Sequence, residues 1–117
     1  MMVDPRQALA TLARRREAKR QAAEARAARL RAAVPAAVAM LRAQHGVGRA
    51  WLFGSLAWGG PRLTSDVDLA VEGLPAERYF QALADLEGLL RGGVDLVRME
   101  DADETLRARI LAEGIAA

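Results

Sequence analysis

The stretch WLFGSLAWGGPRLTSDVDLAVEG, residues 51–73, decides how this chain folds. An apolar run ends at Gly54 and Ser55, and a glycine-rich loop with one proline follows. Asp66 and Asp68 then alternate with apolar residues, a pattern that predicts a half-buried β-strand. Because residues i and i+2 of a strand point to the same face, the two carboxylates are expected to project together from the sheet.

A third aspartate extends this pattern. Two neighbouring carboxylates repel each other, and burying them without compensation costs free energy. Mg²⁺ would remove the conflict, since it prefers hard oxygen ligands and commonly takes one or two carboxylates together with substrate phosphates. Asp95 lies in another apolar run, GGVDLVR, residues 92–98. If that run pairs with the strand of Asp68, three carboxylates can hold two metal ions for phosphoryl transfer. The competing interpretation leaves the aspartates at strand ends, facing water.

Gly54 and Ser55 are the complementary part of the predicted site. Glycine lets a backbone approach a ligand closely, and the turn leads into a short segment that is compatible with the first turn of a helix. Backbone N–H groups there and the Ser55 hydroxyl can bind phosphate oxygens. A Gly-Ser pair by itself is usually an ordinary turn, so its weight comes from its spacing to Asp66 and Asp68.

The remaining pattern predicts an α/β (α+β) fold, in which helices pack on a small mixed β-sheet behind a long N-terminal helix. Phe80, Leu83, Leu86 and Leu90 are expected to share the buried face of one helix. We predict helices at residues 5–44, 75–91 and 104–112, with a kink or restart at Pro35, and strands at residues 49–53, 66–72 and 94–98.

The N-terminal helix carries most of the basic character. Residues 1–31 contain nine of the 17 Lys and Arg residues and three of the 15 Asp and Glu residues, a net charge of +6. Between Leu12 and Leu30 its only apolar residues are alanines, so the helix is expected to protrude or to pack on a partner chain. A solvated extension, a contact with a partner protein or a second copy, and nucleic-acid binding stay open. The lack of interleaved aromatic residues argues against nucleic acid.

Composition excludes several classes of protein. The 117 residues suit one small domain, which we divide into an extension, residues 1–32, and a core domain, residues 33–117. The absence of cysteine excludes disulfides and thiolate metal sites. His45 cannot form a zinc site alone and is expected to be a capping or surface residue. With no long apolar stretch and no signal-peptide pattern at the N-terminus, we expect a cytoplasmic protein without a membrane segment.

The spacing around the aspartates is also a family signature. Gly54 and Ser55, ten further residues, Asp66, one residue and Asp68 form the Gly-Ser-x10-Asp-x-Asp motif. In this the chain resembles nucleotidyltransferases of the DNA polymerase β superfamily. Its ending, ETLRARILAEGI, is similar to that of their small stand-alone members, the minimal nucleotidyltransferase (MNT) proteins. The resemblance covers about residues 33–115 and implies the nucleotidyltransferase fold.

The resemblance implies an activity and a partner. The reaction would be Mg²⁺-dependent transfer of a nucleoside monophosphate, AMP from ATP, onto a hydroxyl group. Asp66 and Asp68 would bind the metal ions, Asp95 would bind the second ion and accept the proton of the attacking hydroxyl, and Gly54 and Ser55 would hold the triphosphate. The MNT proteins work with a HEPN-domain toxin, which they silence as antitoxins by adenylylation or by binding alone.

The chain departs from the family at two positions. Many members read Gly-Ser-Arg-Ala-Arg-Gly where this chain has Leu56 and Trp58, so two arginines are missing. Each would ordinarily lie near an anionic ligand or pair with a carboxylate. Arg62 is a candidate substitute, and Trp58 is expected either to stack on a base or to pack in the protein. The departure keeps a second function open, that of a catalytically weak or inactive subunit that inhibits its partner by binding.

Overall fold

A computed structural model describes residues 4–61 and 66–117 of the chain. The predicted α+β class with a small mixed sheet and a long N-terminal helix is confirmed. The elements are α1 (Pro5–His45), β1 (Ala50–Phe53), α2 (Ser55–Trp58), β2 (Val67–Val71), a 3-10 turn (Ala76–Arg78), α3 (Tyr79–Leu90), β3 (Val94–Arg98), α4 (Glu104–Glu113) and β4 (Ile115–Ala116). Within the described ranges, no helix is long and apolar enough to span a membrane.

The four strands form one sheet in the order β3-β2-β1-β4. Strand β1 is antiparallel to both β2 and β4, whereas β2 and β3 are parallel. The register pairs Phe53 with Asp68, and Asp68 with Asp95. The two-residue strand β4 was not predicted, because so short a segment shows no alternation; it exists through its pairing with Trp51 and Leu52.

The sheet buries a different set of side chains on each face. One face packs against α1 and α3 and contributes Leu52, Leu69 and Leu96 to the main core. The other face packs against α4 in a smaller cluster formed by Trp51, Phe53, Ala70, Met99 and Ile110. Since paired and alternate residues share a face, the predicted site aspartates lie on the α4 side.

Helix α1 begins and ends as its sequence indicates. The Asp4 side chain accepts a hydrogen bond of 2.9 Å from the backbone N–H of Arg6, and Gly46, with φ 73°, caps the other end after His45. The restart predicted at Pro35 is wrong, because a single helix of 41 residues passes through it. Proline removes one helical hydrogen bond, but the buried side chains of Val34 and Val38 hold the helix to the core on both sides of it.

Only the C-terminal part of α1 contributes to the core. Its first buried residue is Ala23, and residues 5–22, called the arm below, bury no residue. The radius of gyration is 18.1 Å and the longest extent is 64 Å. A compact domain of this size would have a radius of gyration of about 13 Å, so the arm protrudes. The division at residues 32 and 33 stays a prediction, whereas the burial shows that Ala27 and Leu30 are core residues.

The buried face of α3 differs from the prediction at one position. Phe80 is 80% exposed, while Ala82, Leu86 and Leu90 are buried. Tyr79 takes the expected place of Phe80, because it lies seven residues before Leu86, about two helical turns, and so falls on the same stripe. Its hydroxyl donates a 2.6 Å hydrogen bond to the carbonyl of residue 96 in the edge strand β3.

His45 is neither a surface residue nor a ligand in a metal cluster of the described residues. It is only 4% exposed, and its Nε2 lies 2.8 Å from Oδ2 of Asp85 on α3. This hydrogen bond is the main cause that lowers the pKa of the Asp85 carboxyl, with a smaller contribution from Gln81. The pair connects the end of α1 to α3, so the role of His45 is structural.

Candidate functional site

The turn after β1 is built on a glycine. Gly54 has φ 72°, a conformation that glycine adopts at little cost. Its carbonyl accepts hydrogen bonds from the N–H groups of Ala57 and Trp58, at 3.1 and 2.9 Å. The chain therefore passes directly from β1 into α2, with Ser55 as the first residue of that short helix. The helical turn expected after the Gly-Ser pair is present.

A second constraint on Gly54 comes from Asp68. A Cβ atom at position 54 would lie 2.8 Å from Cγ of Asp68 and would overlap its carboxylate oxygen. The pairing of Phe53 with Asp68 in the sheet creates this close approach. The glycine of the motif is thus needed both for the backbone angle and for room beside the carboxylate. Gly54, Ser55 and Asp68 are brought together in one place.

The three predicted aspartates lie on one face of the sheet. Asp95 is the register partner of Asp68 in β3, and Asp66 precedes Asp68 by two residues. Asp68 is partly buried, whereas Asp66 and Asp95 are exposed. In the described part of the chain, no Lys or Arg forms an ion pair with any of them. Within residues 4–61 and 66–117, the negative charge of the cluster is therefore not balanced by an ion pair.

Burial and this negative charge together affect Asp68. Burial first, and then the negative charges of Asp95 and Asp66, raise the pKa of the Asp68 carboxyl to about 6. All three effects disfavour the ionised form. A cation placed among the three carboxylates would favour the ionised form and offset them.

The donor set fits a divalent cation by its chemistry. Carboxylate oxygens with excess negative charge are what Mg²⁺ selects. Among residues 4–61 and 66–117, however, no three acidic or histidine side chains are already gathered at distances that a single ion requires. Side-chain rotation at the exposed Asp66 and Asp95 would have to complete such a site around Asp68. Metal binding by these residues stays a prediction.

Gly93 belongs to the site, although its sequence pattern indicated only the end of a helix. A Cβ atom there would lie 2.9 Å from Cγ of Asp66 and would overlap its carboxylate oxygen. Its carbonyl accepts a 3.1 Å hydrogen bond from Val67 at the start of β2. Helix α3 ends at Leu90 and is capped by Arg91, with φ 54°, before Gly93 is reached. Gly93 thus makes room for Asp66. In the sequence, the glycine two positions before Asp95 was the signal that could have indicated this close approach.

Leu56 occupies the first of the two positions at which the family resemblance leads us to expect arginine. It is 2% exposed and belongs to the main core. The Nε of Arg31 on α1 donates a 2.7 Å hydrogen bond to the Leu56 carbonyl. This contact fixes α2, and with it the glycine turn, to the long helix. An apolar residue at position 56 is therefore accounted for by packing.

Trp58, at the second such position, is also held by packing. Its Nε1 donates a 2.9 Å hydrogen bond to the carbonyl of Glu113, at the end of α4. The guanidinium carbon of Arg109 lies 3.9 Å from its ring centroid, and the Phe53 ring lies 6.2 Å away. Of the two roles expected for this side chain, packing is the one observed, since one ring face and the N–H are already used. Arg62, the proposed substitute, lies outside the described residues.

Comparison with known families agrees with this geometry. The family described as "Polymerase beta, Nucleotidyltransferase" matches residues 37–116. The chain belongs to this nucleotidyltransferase family. The matched range contains every predicted site residue of this nucleotidyltransferase and excludes the arm. A search of curated proteins found no match.

Several solved structures resemble this chain in fold. A structure described as a minimal nucleotidyltransferase is 38% identical to this nucleotidyltransferase, with a TM-score of 0.64 over 74% of this chain and 90% of that one. A toxin–antitoxin structure with AMP-PNP is 26% identical, with a TM-score of 0.60 over 68% and 67% of the two chains. A tri-AMPylated Shewanella oneidensis HEPN toxin in complex with an MNT antitoxin provides a match at 22% identity and a TM-score of 0.59, over 74% and 70%. That last match concerns the fold alone.

Proposed function

We propose that this nucleotidyltransferase transfers a nucleoside monophosphate, AMP from ATP, to a hydroxyl group of a partner protein in a Mg²⁺-dependent reaction. The observation that carries the proposal is the partly buried Asp68, held against the Gly54 turn with two further carboxylates on its face of the sheet. Such an arrangement is costly for the fold alone. It becomes favourable when a cation and a triphosphate are bound.

Each site residue has a role in this proposal. Asp66, Asp68 and Asp95 would hold the cations, which would neutralise phosphate charge when bound. Ser55 and the backbone that follows Gly54 would hold the triphosphate. The exposed Asp95 would also accept the proton of the attacking hydroxyl. A bond forms between the hydroxyl oxygen and the α-phosphorus, the bond from that phosphorus to the bridging oxygen breaks, and pyrophosphate leaves.

The partner we propose is a HEPN-domain toxin in the cytoplasm, with this chain as its antitoxin. The family resemblance implies such a partner. The structure at 26% identity supports a toxin partner because it is a toxin–antitoxin structure, and the AMP-PNP in it supports a nucleotide substrate. The proposal therefore combines the partner and the nucleotide in one reaction.

A second candidate is a subunit that inhibits its partner by binding, with little or no transfer. The packing of Leu56 and Trp58 favours it, since neither position supplies a cation for a phosphate. The three carboxylates favour transfer, because an inhibitor that acts by binding has no need of them. The two candidates make different predictions for a single assay.

The deciding experiment incubates the purified protein with a HEPN-domain protein, Mg²⁺ and ATP labelled at the α-phosphate. We expect label on the HEPN protein, lost on chelation and in Asp68→Asn, and retained in Glu77→Gln. Glu77 is an exposed acid outside the site, so it controls for the loss of one charge. Tight complex formation without label transfer would instead support inhibition by binding.

A further inference from the structure

The stripe that α1 buries in the core continues into the arm. Ala27 and Leu30 are each 1% exposed and define the buried stripe. A helix has about 3.6 residues per turn, so a spacing of 18 residues is about five turns. Leu9 lies 18 residues before Ala27, and Leu12 lies 18 residues before Leu30. Both leucines therefore point along the same side, but they are 66% and 45% exposed.

Two cations follow the leucines on this stripe. Arg16 lies seven residues before the buried Ala23, about two turns, and Lys19 lies four residues before it, about one turn. Neither forms an ion pair within the described ranges, whereas the neighbouring Arg20 forms an ion pair of 2.6 Å with Glu17. Residues 5–22 contain six basic residues and one acidic residue, a net charge of +5.

We propose that this stripe of the arm is a docking surface for an acidic, amphipathic helix of a partner protein. The partner would place apolar side chains against Leu9 and Leu12, and carboxylates against Arg16 and Lys19. The 18 residues of the arm are about 27 Å long, enough to receive about five turns of a helix. The inference rests on the proposed partner role and is independent of nucleotide transfer.

Charge and exposure favour this occupant over two others. A second copy of the arm would place another net charge of +5 beside the first, and two like charges repel when the helices lie side by side. Nucleic acid would be attracted by the charge, but its binding would not need two exposed leucines on the side that carries Arg16 and Lys19. A protein helix with both apolar and acidic groups uses all four side chains.

The test uses the full-length chain and a labelled, capped 18-residue helical peptide, followed by fluorescence anisotropy at physiological salt. The peptide carries leucines spaced as Leu9 and Leu12 are, a few glutamates on the same side and alanines elsewhere, because a peptide of glutamates alone would not stay helical; a matched peptide has serine for leucine. We expect Leu9→Ser/Leu12→Ser and Arg16→Glu each to weaken binding at least about ten-fold. The serine peptide should bind as weakly as the double variant does to the leucine peptide.

Arg14→Glu is the matched control. It changes the net charge as Arg16→Glu does, but Arg14 is two residues from Leu12 and so lies on nearly the opposite side of the helix. We expect it to weaken binding less than about three-fold, since only long-range attraction is lost. We expect circular dichroism and the melting temperature to show that the arm variants stay folded, because the residues changed are not buried.

Three outcomes would overturn the inference. Equal weakening by Arg14→Glu and Arg16→Glu would show unspecific attraction. Tighter binding of a 20-nucleotide single-stranded RNA, unaffected by the leucine substitutions, would identify the arm as a nucleic-acid surface. A dimer that the leucine substitutions abolish, without peptide binding, would identify a second copy as the occupant. Asp68→Asn should bind the peptide like the wild type, which separates this inference from the transfer reaction.

Discussion

Replacing Asp68 by asparagine should stabilise the protein in the absence of metal. Burial and the charges of Asp95 and Asp66 raise the pKa of the Asp68 carboxyl from its ordinary 3.8 to about 6. A carboxyl whose pKa is raised by folding opposes folding when ionised. The ionised Asp68 carboxylate therefore destabilises the fold to its full extent at neutral pH. This stability is regained as the carboxyl becomes protonated between about pH 7 and about pH 4.

The size of the effect follows from the same shift. At about 1.4 kcal/mol per pKa unit, the difference corresponds to about 3 kcal/mol as an upper limit. Asp68 is only partly buried, and water screens its neighbours' charges, so we expect about 1 kcal/mol. For a domain of this size that is a rise of about 4 °C in the melting temperature.

The assay is urea unfolding in the presence of a chelator at several pH values between 7 and 4. Asp68→Asn should exceed the wild type by about 1 kcal/mol at pH 7, and the difference should vanish near pH 4. Glu77→Gln, the exposed control, should differ little from the wild type throughout. A loss of stability in Asp68→Asn at pH 7, or a difference that does not depend on pH, would refute the reasoning.

Three further results are expected. Mg²⁺ affinity, measured by calorimetry, should weaken several-fold as the pH falls from about 7 to about 5, because Asp68 must ionise to bind; unchanged affinity would contradict this. Gly54→Ala should cost more than Gly59→Ala, which shares a backbone strain of about 1–3 kcal/mol but meets no atom within 4 Å, and Asp68→Ala should reduce the difference. Deleting residues 1–22 should leave the melting temperature nearly unchanged, whereas deleting residues 1–31 should lower it strongly because buried side chains are lost.

The local features of the site could be predicted from the sequence. The alternation around Asp68 placed it on one face with Asp66, because strand geometry repeats every two residues whatever the rest of the chain does. The glycine at position 54 indicated a turn, in agreement with its φ of 72°, and a close approach to a ligand; the close approach that the structure shows is to Asp68. The Asp4 cap of α1 was predictable for the same reason, since a cap involves adjacent residues.

Helical periodicity was a less reliable guide where contacts with neighbouring elements decide which residues are buried and whether a helix continues. Phe80 was assigned to the buried face because it is large and apolar, but the stripe that α3 buries contains Tyr79 instead. Pro35 was expected to kink or restart α1, and the restart is absent, since one helix with buried residues on both sides of Pro35 passes through it. In both cases the preference of one residue was overridden by packing against the sheet.

Only the tertiary structure decided which distant residues meet. The register that sets Asp95 beside Asp68, the burial of His45 against Asp85 and the cover of Trp58 by α4 join residues separated by 27, 40 and 55 positions. Sequence alternation fixes the face on which a strand residue lies, but not the neighbour it receives. That choice depends on how the whole sheet pairs and on which helix covers it, and these are settled by the burial of apolar surface from all elements together.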